Sequence, residues 1–134
     1  MSLDWANDVL AFHQKFGIAV GTTPCLPKGV LQAQRTALLE EELRELRSAA
    51  TLEDYVDAHL DLISVLLGNL IAAGIPPVAI ERMWNEVTST NMAKERGSDS
   101  NNSKPTKPVG WQPPDLQSII QSARDGEIHF DGKD

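Results

Sequence analysis

The sequence predicts an all-α protein, built as a bundle of four main helices with a short fifth helix near the C-terminus. Two observations predict this class. Apolar residues recur at helical spacing in four successive segments, and most of these segments begin at a capping residue or a proline. In addition, no stretch of four or more residues shows strand alternation bounded by turns. We expect a single domain over residues 1–125 and a loose tail over residues 126–134.

The first two predicted helices are separated by a loop. Ser2 or Asp4 caps the first helix, which ends before Gly17. The apolar residues that follow helical spacing in it are Trp5, Val9, Phe12 and Phe16. Residues 17–29 contain three glycines and two prolines, which is typical of a loop. The second helix is expected over about residues 30–49, where glutamate, arginine and alanine favour helix.

The third and fourth predicted helices form the centre of the chain. Thr51 caps the third helix, which continues through an apolar stretch and ends at Gly74. Pro76 and Pro77 open the fourth helix, because proline is favoured in a first helical turn, and this helix runs to about Glu95. Its apolar stripe is expected to be Ile80, Met83, Trp84 and Val87. The third helix is apolar nearly all round beyond its middle, which predicts burial on more than one side.

The segment after the fourth helix changes character. Residues 97–114 are dominated by glycine, serine, asparagine, lysine and proline and cannot build a core. Trp111 is the exception, and it suggests that this loop docks somewhere on the molecule. Asp115 is expected to cap the short last helix, whose inward residues are Leu116, Ile119 and Ile120.

Composition limits the classes of partner and compartment. The net charge of −7 argues against a nucleic-acid or anionic-membrane partner. The single Cys25 excludes an intrachain disulfide and a multi-cysteine zinc site, so a reducing cytoplasm is the expected compartment. The N-terminus carries Asp4 and Asp8 and has no cationic region before an apolar stretch, which argues against a signal peptide. The longest apolar run, residues 62–74, is expected to be too short to span a bilayer.

Five carboxylates interrupt segments that otherwise look like helical core. Glu41, Glu42 and Glu45 are three or four residues apart and crowd one side of the second helix. Asp57 and Asp61 are four residues apart and share a face of the third helix. Carboxylates beside a core are costly unless a positive charge joins them, and an all-oxygen site suits Mg²⁺ or Mn²⁺.

The alternative interpretation of the glutamates is a solvated helix face balanced by nearby arginines. Against it, Leu38 lies within an arc of about 60° with Glu42 and Glu45, so the glutamates share a side with a core residue. Arg35 falls on the same line as Glu42, as if to hold an anion beside the metals. A di-iron site requires Glu-x-x-His pairs, and none of the three histidines follows a glutamate by three residues: His13, His59 and His129.

Four motifs in order resemble one family. Residues 35–45, RTALLEEELRE, resemble the EExxE motif of the all-α nucleoside triphosphate pyrophosphohydrolases, the MazG-like superfamily, whose relatives include phosphoribosyl-ATP pyrophosphohydrolases and dimeric dUTPases. Residues 57–68 resemble the second acidic motif. Residues 91–94 resemble the Asn-x-x-Lys segment, and residues 107–115 the closing Gly-aromatic-x-x-Pro-Asp segment. The match covers roughly residues 30–120 and implies a MazG-type fold.

The second motif departs from the family pattern at one position. The pattern is ExxD, and when Asp61 is the aspartate the glutamate position holds Ala58. Asp57 is one residue earlier and shares the Asp61 face, so we expect it to replace the missing ligand.

The resemblance implies hydrolysis of a (deoxy)nucleoside triphosphate, with dUTP and dGTP both open, to the monophosphate and pyrophosphate. It implies two or three Mg²⁺ or Mn²⁺ ions per site, with metal ligands Glu42, Glu45, Asp57 and Asp61. Glu41 would be the catalytic base or bind an additional metal. The expected phosphate-binding residues are Arg35, Lys94 and Lys107. The expected nucleoside-binding residues are Trp5, Phe12, Asn91 and Trp111.

The third helix is too apolar for one small bundle to cover, which predicts a homodimer or a dimer of dimers with the site near the interface. Two alternatives to the nucleoside triphosphate reaction stay open. One is a phosphoribosyl-ATP pyrophosphohydrolase, and the other is a non-enzymatic helical adaptor whose acidic face binds a basic partner.

Overall fold

The computed structural model describes residues 4–97 and 104–130, and within them the chain is helical. Its helices are α1 (Trp5–Phe16), α2 (Gly29–Arg47), α3 (Leu52–Ala72), α4 (Pro77–Met92) and α5 (Leu116–Arg124). The described residues contain no strand, only an isolated bridge between Glu95 and Thr106. The predicted all-α class with a short C-terminal helix is therefore confirmed. Ser2, the alternative cap of α1, lies outside the described residues, as do residues 98–103 and 131–134.

Helix ends follow the predicted capping residues. Asp4 caps α1 by accepting a hydrogen bond from the backbone N–H of Asn7, and Thr51 Oγ1 accepts one from Asp54 N at 3.1 Å. Asp115 Oδ1 accepts from Ser118 N at 3.1 Å at the start of α5. These side chains satisfy backbone donors that have no partner inside the helix. Helices α1, α3 and α5 therefore begin at the capping residues that the sequence predicts.

The helices pack in the order α2, α3, α1, α4, α5, each against the next. The core lies where α1, the end of α3 and the start of α4 meet, and its buried residues are Val9, Leu10, Ile71, Ile75, Ala79, Ile80 and Ile128. The α2–α3 pair extends from this core, and Arg35 is the one buried residue of α2. Arg35 makes two hydrogen bonds from α2 to α3.

Two expectations about burial are wrong, and α1 buries a side that the sequence did not single out. The buried residues of α1 are Val9, Leu10 and His13, whereas Phe12 and Phe16 are exposed. Trp84 of α4 is 67% exposed and does not join the predicted stripe. The tail after residue 126 is not loose as far as it is described, because Ile128 is only 4% exposed and Phe130 packs against the core.

Helix α3 exposes much of its apolar surface. Its buried residues are Ala58, Gly68, Ile71 and Ala72. The large apolar side chains it leaves exposed are Leu52, Tyr55, Val56, Leu60, Leu66 and Leu70. Of the described helices, α3 alone is long and apolar enough to cross a membrane by length and composition, a test that the core helix of a soluble protein also passes.

Candidate metal centre

Three carboxylates meet where α2 and α3 run side by side. Arg35 of α2 contacts Asn69 of α3, and further along α2 the glutamates approach Asp61, so the two helices are antiparallel. Glu42, Glu45 and Asp61 each offer a carboxylate oxygen, and these oxygens lie within 4.8 Å of one another. Glu42 and Glu45 are three residues apart and therefore project to one side of α2. Three of the four predicted metal ligands are thus brought together.

The cluster is electrostatically strained without a cation. The pKa of Glu42 is raised from its ordinary value of 4.5 to about 6, first by burial and then by the hydrogen bond and charge of Glu45 and the charges of Asp61 and Glu41. Burial also raises the pKa of Asp61, helped by the charges of Asp57 and Glu45. Glu42 Oε2 is buried and makes no hydrogen bond to any described residue. A buried acceptor without a donor is costly, so this oxygen points to a cation that the chain itself does not supply.

The residues present fit a divalent metal ion. All three donors are carboxylate oxygens, which Mg²⁺ and Mn²⁺ prefer. A cation among them would satisfy Glu42 Oε2 and reverse the repulsion that raises both pKa values. An acidic cluster in itself does not identify the metal.

Asp57 stands at the edge of this cluster. Its side chain is exposed, and it is not one of the three residues whose oxygens lie within 4.8 Å. Its charge still raises the pKa of Asp61, which places it near that side chain. Ala58, at the family's glutamate position, is only 3% exposed. A replacement ligand at Asp57 would therefore approach the metals from the solvent side of α3.

Glu41 faces a different space from the other glutamates. It is exposed and lines an open cavity of about 610 Å³ between α2 and the loop after α1. Arg44, Gln34 and Leu38 of α2 line the same cavity, as does Arg35. The charge of Glu41 contributes to the raised pKa of Glu42, so Glu41 adjoins the cluster without belonging to it. That position is compatible with a base that acts at the edge of a metal site.

Arg35 ties α2 to α3. It is only 8% exposed, its Nε donates to Asn69 Oδ1 at 2.7 Å, and its Nη2 donates to the backbone oxygen of Val65 at 3.1 Å. Burial lowers its pKa. Gly68 makes room for it, because a Cβ there would meet both the Arg35 guanidinium and the ring of His13. His13 is itself buried, with Nδ1 2.9 Å from the backbone oxygen of Ala19.

The sequence analysis missed this arrangement. Asn69, Gly68 and His13 received no role, and Arg35 was considered only as an anion ligand. A signal was present, because a glycine inside an otherwise apolar helix disfavours the helix and marks a close approach. Nothing in the sequence shows which side chain makes that approach.

Lys94, Lys107 and Trp111 form one group at the end of α4. The two lysine Nζ atoms lie 5.5 Å and 4.9 Å from the centroid of the Trp111 ring. Trp111 Nε1 donates to the backbone oxygen of Thr90 at 2.8 Å, which confirms that the loop docks on α4. Asn91 is exposed on the same turn of α4. This basic and aromatic group is built on α4, whereas the carboxylates are built on α2 and α3.

The two aromatic candidates of α1 lie apart from that group. Trp5 and Phe12 are both exposed, and the Phe12 ring lies 4.9 Å from the Phe16 ring. Their role in binding a nucleoside stays a prediction, because no contact joins them to the carboxylates or to Trp111 among the described residues.

An all-helical fold that presents clustered carboxylates from two antiparallel helices is the arrangement of the MazG-like pyrophosphohydrolase class. The sequence model of the phosphoribosyl-ATP pyrophosphohydrolase family matches residues 9–91, and the chain belongs to this family. The protein is therefore a pyrophosphohydrolase, an acid anhydride hydrolase that releases pyrophosphate. A comparison with curated proteins gives no match. The matched region contains all five carboxylates but ends before Lys94, Lys107 and Trp111.

Membership of an enzyme family answers one of the open alternatives. The non-enzymatic acidic adaptor is excluded as the main function, and the buried Glu42 oxygen agrees, because a solvated acidic face would leave that oxygen in water. The phosphoribosyl-ATP alternative gains support, since it gives the matched family its name. The family match gives no support to a preference for dUTP or dGTP.

Proposed function

We propose that the protein hydrolyses a nucleoside triphosphate between the α- and β-phosphates in a reaction that depends on Mg²⁺ or Mn²⁺. One observation carries the proposal: carboxylate oxygens of Glu42, Glu45 and Asp61 lie within 4.8 Å of one another. The buried Glu42 Oε2 without a hydrogen-bond donor supports it. Members of the family act on triphosphate substrates and release pyrophosphate, which is the reaction class that such a cluster serves.

Glu42, Glu45 and Asp61 would hold the cation, and Asp57 would complete its ligands from the solvent side. A bound divalent ion supplies positive charge to the phosphate oxygens and lowers the pKa of coordinated water. Two or three ions per site remain the expected number. More than one ion would share these ligands, because the three carboxylates offer more lone pairs than one ion uses.

Glu41 is proposed as the base that takes a proton from the attacking water. Its exposed carboxylate borders the cluster and an open cavity that a substrate can enter. Glu42 and Asp61, in contrast, would be occupied by the metal. Arg44, which lines the same cavity, supplies a positive charge beside it.

The triphosphate and nucleoside contacts are proposed from the basic and aromatic group on α4. Lys94 and Lys107 would pair with phosphate oxygens, and Trp111 would present its ring to the base. Asn91 would read a polar edge of the base from the same turn. Trp5 and Phe12 are proposed as further apolar contacts to the nucleoside. Arg35 would reach a phosphate through Nη1 or the second N–H of Nη2, since its Nε and one N–H of Nη2 bond to α3.

The self-association of the chain and its cytoplasmic location are part of the proposal. A second copy would cover the exposed apolar side chains of α3, including Leu60 and Leu66. An exposed free thiol at Cys25 is compatible with a reducing compartment.

Phosphoribosyl-ATP is the second candidate substrate, and the family match favours it. It carries the same 5′-triphosphate as an ordinary nucleotide, so the carboxylate cluster would serve both reactions. The two candidates differ at the base, where phosphoribosyl-ATP bears an additional phosphorylated sugar. The choice between them therefore lies with the groups that contact the nucleoside and not with the metal centre.

A substrate panel tests the proposal. The purified chain is assayed for pyrophosphate release from ATP, dATP, dGTP, dUTP and phosphoribosyl-ATP, each with Mg²⁺, with Mn²⁺ and with excess EDTA. We expect release that requires a divalent ion, and a melting temperature that rises when the ion is added, because the ion binds only the folded cluster. Activity that persists in EDTA would refute the metal mechanism, and exclusive use of phosphoribosyl-ATP would select the second candidate.

A further inference from the structure

A second cavity lies toward the opposite end of the α2–α3 pair from the carboxylates. Its volume is about 430 Å³, within the range of small-molecule sites. It is bounded by residues 24–27 of the loop after α1, by α2, by the end of α3 and by α5. Thr36 on its wall is six residues from Glu42, which places the two about 9 Å apart along the helix axis. The cavity is therefore not part of the proposed metal centre.

The lining of this cavity is basic in an acidic protein. Its polar and charged lining residues are Cys25, Gln32, Arg35, Thr36, Asn69 and Arg124. No aspartate or glutamate lines it among the described residues, although the whole chain carries a net charge of −7. Two guanidinium groups thus share a cavity that offers them no carboxylate. Such a lining favours an anion.

Of the two arginines, Arg35 gives the stronger evidence for a bound anion. Its side chain is more than nine-tenths buried, and it makes hydrogen bonds through Nε and Nη2 to neutral acceptors on α3. Nη1 has no hydrogen bond to the described residues. A buried cation without a counter-charge is costly, and a bound anion would compensate for the lost solvation.

Arg124 closes the other side of the cavity. Its Nε donates to the backbone oxygen of Pro24 at 3.1 Å, which ties α5 to the loop. The backbone N–H of Cys25 donates to the oxygen of Ala73 at 2.9 Å and ties the same loop to α3. The wall is therefore held in place by two contacts, and the terminal amino groups of Arg124 make no hydrogen bond to the described residues. A preformed cavity loses little entropy when it binds a ligand.

We propose that this cavity binds a small molecule that carries a phosphate group, with Arg35 and Arg124 as its cationic contacts. A phosphate dianion matches two arginines, whereas a monocarboxylate matches one. Leu70, Ala73 and Ile120 give the cavity an apolar wall, which suits the organic part of a phosphate monoester. The site would share Arg35 with the proposed phosphate contacts of the substrate, but it would use none of the carboxylates of the proposed metal centre.

Cys25 is the single cysteine of the chain, is exposed and lines the cavity, so its alkylation reports occupancy. The rate of Cys25 alkylation by N-ethylmaleimide is measured in EDTA with increasing inorganic phosphate, AMP or acetate, each at constant ionic strength set by chloride. We expect phosphate and AMP to slow alkylation and acetate to leave it unchanged. Protection by AMP at lower concentration than phosphate assigns the site to an organic phosphate, and equal protection assigns it to the free ion.

Matched variants show whether the protection of Cys25 arises from binding in this cavity. Arg124→Gln should raise the phosphate concentration needed for protection about tenfold, because it removes a charge-assisted hydrogen bond. Thr36→Glu, which adds a carboxylate to the wall, should do the same if Arg124→Gln disturbs the loop. Arg47→Gln, at an exposed arginine of α2 that does not line the cavity, should leave protection unchanged.

Glu42→Gln removes a proposed metal ligand and should also leave protection unchanged, which separates this proposal from the proposed reaction. The proposal is overturned if phosphate slows alkylation no more than acetate does. It is equally overturned if Arg124→Gln and Thr36→Glu retain full protection, or if Cys25 is inert to the reagent because the cavity is covered.

Discussion

At the scale of single residues, Glu42 concentrates the properties of the proposed metal centre. One of its oxygens is buried without a donor, and burial followed by three neighbouring carboxylates raises its pKa. Both features are unfavourable in the metal-free chain and favourable once a cation binds. A residue whose ionised form is costly in the metal-free fold is suited to binding a cation, and we propose that role for Glu42.

Replacing Glu42 with Gln, or Asp61 with Asn, should lower turnover by about two orders of magnitude or more, because either change removes charge from a site whose chemistry is electrostatic. The control is Glu40→Gln, an exposed glutamate of the same helix outside the cluster. Turnover is measured at saturating metal, with folding checked by circular dichroism. Wild-type turnover in Glu42→Gln would remove Glu42 from the metal ligands.

Asp57 is tested by comparison with Asp61. If Asp57 replaces the glutamate that Ala58 lacks, Asp57→Asn should weaken metal binding and lower turnover as Asp61→Asn does. Metal affinity is measured by calorimetry, with Asp54→Asn as a matched change one turn away. If Asp57 is only a surface charge, its change should shift the free energy of unfolding by less than about 0.5 kcal/mol and leave turnover intact.

The raised pKa of Glu42 predicts how the stability of the metal-free protein depends on pH. Below the ordinary value of 4.5 the carboxyl is protonated in both the folded and unfolded chain, and above about 6 it is ionised in both. Between these values the folded chain binds more protons, so the free energy of unfolding falls as pH rises. The fall should be on the order of 1 kcal/mol after solvent screening.

Urea titrations in EDTA at several pH values measure this fall. Glu42→Gln should flatten it, leaving the smaller contribution in the same direction that the raised pKa of Asp61 makes. A metal-free protein whose stability rises between pH 4.5 and 6 would contradict the arrangement of the cluster.

At the scale of elements, the α2–α3 pair is positioned by a polar contact and a glycine. Arg35 bonds to Asn69 and Val65, and Gly68 leaves the space that the guanidinium occupies. The carboxylates lie two turns further along the same two helices. The contact therefore sets the register in which Glu42 and Glu45 face Asp61.

Gly68→Ala should lower the free energy of unfolding by about 1–3 kcal/mol, because the new methyl group meets the Arg35 guanidinium and the His13 ring. Alanine otherwise favours helix, so the sign of the change is informative. Ser64→Ala, at an exposed position of the same helix, is the control and should not destabilise the protein. A Gly68→Ala protein more stable than wild type in a urea titration would show that the contact is not tight.

At the scale of the whole molecule, helix α3 carries Asp61 of the proposed metal centre and also several exposed large apolar side chains. Leu60 is 54% exposed and Leu66 is 49% exposed, and both lie on the helix that holds Asp61. Exposed apolar patches of this kind mark surfaces that another molecule covers. A second copy of the chain is the partner that we propose.

Leu66→Asp should shift the protein from a dimer or tetramer to the monomer, because burying a charge at an apolar interface is costly. The mass in solution is measured by light scattering after size-exclusion chromatography, at several protein concentrations. Val109→Asp, at a fully exposed loop residue, is the control and should keep the wild-type mass. A wild-type chain that is monomeric at all concentrations would refute self-association.

Much of this protein follows from the sequence alone. Caps such as Asp4, Thr51 and Asp115 and the proline at the start of α4 determine where the helices begin, because these signals act within a few residues. The spacing of Glu42 and Glu45 determines that they share a face, because helical geometry is local. The order of the four motifs identified the superfamily before the fold was known.

The tertiary structure decided what depends on contacts between distant residues. The sequence places Arg35 on the line of Glu42 but does not show that Asn69, 34 residues away, takes its guanidinium. It places Phe12 at helical spacing with Val9 but does not show that the packing of α1 buries His13 and leaves Phe12 exposed. Local signals specify each helix, but the face that each helix buries, and therefore which carboxylates meet, is set by how the helices pack on one another.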